Sequence, residues 1–223
     1  MSAELLPANE DIRLACAFID DAGKRAEVLS LYAFLDTLRA IPERAAEPLM
    51  GEIRLRWWYE AIEEIRDGRP VRYHPLTGAL KALIAKYRLD PQLCLDLIEG
   101  QMPLLGRGPL DVRTALGVCD AGEGITAALA ATVLGQDAPA SLVAAVRVYA
   151  MARLKAQRGL SDAGAVELAH LRRDAARAIR TLPPGLLPVA LPAALAAPLW
   201  HGRAVNPLFR RLKLLLTFLT GRL

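Results

Sequence analysis

Apolar residues recur at three- and four-residue intervals along most of the chain. No run rich in Val, Ile, Thr and aromatic residues alternates at period two for the length of a strand. The pattern predicts an all-α fold of about nine or ten helices. They cover residues 10–18, 24–40, 45–66, 75–87, 91–102, 112–134, 139–157, 162–180 and 207–219, with proline-broken pieces between the last two. Helix punctuation agrees. Asp90-Pro91 and His74-Pro75 put a capping side chain before a proline that suits the first turn, and Ser161 precedes another helical pattern. Short linkers such as Asp67-Gly68-Arg69-Pro70 and Gly106-Arg107-Gly108-Pro109 suit helices packed as neighbours, so residues 1–223 read as one helical domain.

Composition sharpens this picture in a few places. A chain of 223 residues with 53% hydrophobic content can bury a substantial core. Residues 181–202 carry no charge and are long enough to cross a bilayer, but Pro183, Pro184, Pro188, Pro192 and Pro198 would break a spanning helix repeatedly. Cys16, Cys94 and Cys119 lack paired spacing, and His74, His170 and His201 lack ligand spacing, so no metal site is expected from them. A net charge of +4 argues against a nucleic-acid binder. Glu4, Glu10 and Asp11 precede any apolar run, the wrong charge order for a secretory signal, and a cytoplasmic location is expected.

The most distinctive stretch runs from Leu31-Tyr32-Ala33-Phe34 to Glu47-Pro48-Leu49-Met50-Gly51-Glu52-Ile53-Arg54-Leu55-Arg56-Trp57-Trp58. It then reaches Asp67-Gly68-Arg69-Pro70 and His74-Pro75. This order and spacing resemble the squalene/phytoene synthase family, all-α proteins of the isoprenoid synthase fold. The resemblance implies a helical bundle that joins two prenyl diphosphates. The leaving diphosphate is a dense anion whose charge Mg²⁺ absorbs, held by Asp residues at four-residue spacing on two facing helices.

Those acidic residues are missing. With Tyr32 and Phe34 as anchors, the first motif of the family falls on Arg39, Ala40 and Glu43, and Pro42 is expected to interrupt the helix there. The second motif belongs on the helix ending near Arg153, yet no Asp or Glu occurs between Asp137 and Asp162, and Arg153 and Lys155 stand there instead. Retained framework with lost metal motifs resembles the branch of the family that contains a mitochondrial complex I assembly factor. That resemblance implies a non-catalytic binding or respiratory-complex assembly role with a protein partner at the inner membrane face, and no cofactor. A divergent prenyltransferase using Mg²⁺ is the alternative.

Other candidates carry two readings each. Tyr32, Phe34, Trp57 and Trp58 either line a prenyl-chain cavity or fill the core. Arg54 and Arg56, joined by Arg39 and Arg153 if the helices converge, either hold a phosphorylated ligand or make ordinary ion pairs such as Arg56 to Glu60. Asp120 and Glu123 read as a Gly-rich helix start, where acids suit the positive end of the dipole. Residues 203–223 form a basic amphipathic tail, with Leu208, Leu212, Leu215 and Leu219 on one side and Arg210, Arg211 and Lys213 around the other. It either lies on an anionic membrane through those cations or packs on the bundle as a last helix.

Overall fold

Side-chain caps close the helix starts where the sequence supplies them. Asn9, Asp21, Asp90, Asp111 and Asn206 each accept a hydrogen bond from a first-turn N–H, and His74 does so through Nδ1, completed by Thr77 as a capping box. The computed structural model describes residues 3–162 and 168–223. Its helices are α1 (Glu10–Cys16), α2 (Ala22–Arg44), α3 (Pro48–Arg66), α4 (Pro75–Tyr87), α5 (Pro91–Glu99) and α6 (Val112–Cys119). There follow α7 (Ile125–Leu134), α8 (Ala140–Arg158), α9 (Leu168–Thr181), α10 (Leu187–Ala190), α11 (Ala196–Trp200) and α12 (Pro207–Thr220). Among the described residues there is no strand beyond an isolated bridge between Leu110 and Leu160. The all-α expectation holds.

Several expected boundaries move for local reasons. Pro42 does not interrupt α2, which runs on to Arg44. The proline lies in the final turns, where the ring costs one interior hydrogen bond, and Ala45 N–H still closes the helix on the Ile41 carbonyl at 3.0 Å. Helix α3 begins at Pro48 rather than at 45, with the proline in the first turn. The helix expected over 91–102 ends at Glu99 and resumes as a 3₁₀ turn, Met102–Leu105. Of the helix expected over 162–180, α9 is its visible part, and residues 163–167 lie outside the described residues. The proline-rich stretch is a chain of short turns and helical pieces, as its composition implies.

One departure shapes the centre. The helix expected over residues 112–134 is divided by a π-helical turn, Asp120–Gly124, between α6 and α7. The segment Val112–Leu134 is long and apolar enough to cross a membrane by length and composition, yet 61% of its apolar window is buried in the protein. It packs between α2 and α8. Around it the core is solid: Leu31, Phe34, Leu35 and Leu38 of α2, Ile62 of α3 and Leu129 of α7 are all fully buried.

Candidate functional site

The inward face of α2 carries Tyr32, Leu35 and Arg39, spaced by three and four residues so that they fall on one side of the helix. Arg39 therefore enters the core one turn beyond Leu35 and meets the π-turn. There the guanidinium donates two hydrogen bonds to the two carboxylate oxygens of Glu123. The pair is almost dry, with side-chain exposures of 8% and 4%. Gly122 makes this possible: a Cβ on it would lie 2.8 Å from Arg39 Nη2. The π-turn carries Asp120 to the other side, where it receives two 2.8 Å hydrogen bonds from Arg147 of α8. The two acids of the Asp-Ala-Gly-Glu-Gly run are thus aimed at two different helices from mid-helix, not from a helix start.

Further charges close around this node. Arg153 of α8 lies 3.6 Å from Asp36 and 4.0 Å from Glu123. Asp36 also accepts the Asn9 backbone N–H at 3.1 Å. Beside them Tyr149 donates to Asp11 at 2.8 Å, and Arg210 of α12 reaches both Asp11, at 2.8 Å, and Glu10. Burial by itself pulls the Arg39 guanidinium down, and the Glu123 carboxylate more than reverses it, so its pKa stands above the usual arginine value. Burial, then the Asp11 charge, holds the Tyr149 phenol well above its normal range. Of these, Asn9, Asp11, Asp36, Arg39, Tyr149 and Arg153 line a cleft of about 440 Å³, with Ala40 and Glu43 beside them.

The expected first-motif positions therefore converge on this cleft, with Arg39 buried in an ion pair, Ala40 on the wall and Glu43 exposed at the mouth. The second-motif positions separate. Arg153 joins the cleft, whereas Lys155 donates to the Trp200 carbonyl at 2.8 Å and lies over that ring. Among the described residues, no group of three or more His, Cys, Asp or Glu side chains is placed to hold a metal ion.

The framework residues divide in the same way. Tyr32 and Phe34 are buried, and Trp58, 5% exposed, packs edge-on against Phe34 and His74. These three are core. Trp57 instead borders an open groove of about 670 Å³ along α3 and α5, together with Leu49, Ile53, Arg56 and Met102, and with Glu52, Glu60 and Glu99. Arg54 is exposed and lies in neither place, and Arg56 makes the exposed pair with Glu60 at 3.2 Å. The four arginines do not converge: Arg39 and Arg153 line the cleft, while Arg56 lines the groove.

The tail also departs from expectation. Arg210 is not turned outward but docked on Glu10 and Asp11, and Arg211 is exposed with Lys213 half-buried. The outward side of α12 is its leucine side.

Sequence reasoning passed over Asn9, Asp11, Asp36 and Tyr149, and took Glu123 for a dipole partner. The available signal was the pair of acids beside two glycines inside an otherwise apolar helix. Comparison with protein families matches the model described as squalene/phytoene synthase over residues 8–156, which includes every residue of the cleft's charged wall. No curated protein matches the chain.

Proposed function

The chain belongs to the squalene/phytoene synthase family, and on that footing we propose that it is a non-catalytic member. Its role in this reading is that of a binding or respiratory-complex assembly protein at the inner membrane face. The observation that carries the proposal is the buried bidentate pair of Arg39 and Glu123. With Tyr32 and Phe34 as anchors, the position expected of a metal-binding carboxylate falls on a cation, and the acid beside it is already paired.

The rest of the donor set supports this. Mg²⁺ requires near-octahedral oxygen coordination, usually from one or two carboxylates with water and phosphate oxygens. Asp36 faces Arg153 and the Asn9 amide, Asp11 faces Tyr149 and Arg210, and only Glu43 stands at the rim. Such a set does not fit a metal-diphosphate cluster, and no chemical step is routed through one. A framework kept without its reactive centre leaves recognition as the use of the fold. The respiratory partner rests on resemblance to the assembly-factor branch, whose pattern of lost acidic motifs this chain shares.

A second reading, a divergent prenyltransferase, draws on the groove along α3 and α5, where apolar side chains lie beside three glutamates. One of those, Glu60, is already engaged by Arg56 and Arg72. Incubation of the full chain with farnesyl or geranylgeranyl diphosphate and Mg²⁺ separates the readings. The proposal expects no release of diphosphate above a protein-free control, and metal-dependent release would establish the second reading in its place.

A further inference from the structure

Helix α12 is docked by the side of the wheel that composition would have left in water. Arg210 holds Glu10 and Asp11, Leu214 and Thr217 are buried, and Phe218 stacks on Phe18 with ring centroids 4.7 Å apart. At about 100° per residue, these four positions share one face. The opposite face holds Leu208, Phe209, Leu212, Leu215, Leu216 and Leu219, all exposed, with Leu208 at 75% and Leu219 at 69%. The apolar stripe spans about 120° of the helix. Arg211 lies along one edge of it and Lys213 along the other.

Six large apolar side chains on one outward stripe are more than scattered surface hydrophobics, and they mark a contact surface. The charge around the stripe selects its occupant. Residues 175–223 contain no Asp or Glu, while Arg203, Arg211, Lys213 and Arg222 are basic. Packing the stripe against a second copy would bring the cationic edges together with no acid in the segment to answer them. An anionic lipid surface answers both features: acyl chains take the leucines, and headgroups take the cations that border them.

We propose that α12 is an interfacial membrane-docking helix that lies in the plane of an anionic bilayer, leucine face down, with its opposite face latched to α1 through Arg210. This deepens the membrane-face part of the proposed function. The cations act at the edges of the contact and the leucines at its centre, so Arg210 is a positioning residue and not a lipid contact.

The test is flotation of the full chain with vesicles of phosphatidylcholine alone and of phosphatidylcholine with one third phosphatidylglycerol. The wild type is expected to float with the anionic vesicles and far less with the neutral ones. Leu212→Ser with Leu216→Ser, both exposed and so neutral to folding by helical circular dichroism, should weaken binding roughly 30-fold or more. Arg211→Gln with Lys213→Gln should weaken it about 25-fold, at about fivefold per cation, and the loss should shrink as salt rises. Failure of the wild type to float, or unchanged binding of the leucine variant, overturns the proposal. A wild-type dimer in sedimentation velocity that the leucine variant dissolves would overturn it too, giving the face to a second copy. None of these readouts involves diphosphate release, so this inference and the non-catalytic reading fail separately.

Discussion

Two bidentate arginine–glutamate pairs stand in this protein with the same chemistry and different surroundings. Arg39 and Glu123 join α2 to the central π-turn in a nearly dry core. Arg72 and Glu64 staple the loop after α3 at the surface, where Arg72 keeps 26% exposure and also reaches Glu60. The second pair keeps water at its edge, with Glu64 12% exposed, so hydration of the separated charges offsets part of their attraction. In the core that competition is nearly gone, and each charge of the first pair depends chiefly on the other, with Arg153 at 4.0 Å from Glu123 as a weaker second partner. With Tyr32 and Phe34 as anchors, Arg39 falls on the expected first-motif position, and under the proposed function this buried pair makes the centre locked and not vacant ground for a ligand.

The comparison breaks most sharply if one buried partner is removed. Arg39→Ala leaves the buried Glu123 without its hydrogen-bonded partner, with only the more distant Arg153 at 4.0 Å, and is expected to cost about 3 kcal/mol or more of unfolding free energy in urea. Replacing both partners with leucine should recover most of that loss, because the penalty belongs to the orphaned charge. If the single and double variants are equally destabilised, the pair is not a unit.

Next in size is Gly122→Ala. The new Cβ meets Arg39 Nη2 at 2.8 Å and Leu35 Cδ1 at 3.4 Å, so the guanidinium must shift. A loss of about 1–3 kcal/mol is expected from this overpacking. In the Arg39→Ala background most of that cost should vanish, which a double-mutant cycle reads directly.

The surface pair gives the smallest effect and the clearest pH signature. Hydrogen bonds from the Arg72 side chain, then from its backbone N–H, lower the Glu64 pKa from 4.5 to about 2. Because the folded value is the lower one, the contribution is complete above about pH 4.5 and disappears as pH falls toward 2. Urea midpoints of wild type and Glu64→Gln should therefore differ at pH 6 and converge by pH 2. A constant difference across that range would show that the pair is not what the mutation removes.

The helical plan was legible because periodicity and caps are local. Asp90, His74 and their prolines sit within a turn of the N–H groups they serve. The expected first-motif positions were equally easy to place, since Arg39 and Ala40 can be read against Tyr32 and Phe34 on the same helix. The identity of the partner charge was not, because Glu123 lies 84 residues away and reaches Arg39 only through a π-turn that shifts the helix register. The orientation of α12 was hidden for the same reason. Amphipathicity defines two faces, but the docked one is set by partners far off in sequence: Arg210 meets Glu10 and Asp11, Phe218 meets Phe18, and Leu214 and Thr217 are buried beneath the helix.

The most direct test of the locked centre is the thermal midpoint of the full chain with Mg²⁺ and inorganic diphosphate, added separately and together. A site for the pair would stabilise the fold by about 2.7 kcal/mol at a hundredfold excess over its dissociation constant. We expect the midpoint to stay where it is under all three conditions, and a rise of several degrees that requires both additions would contradict the account.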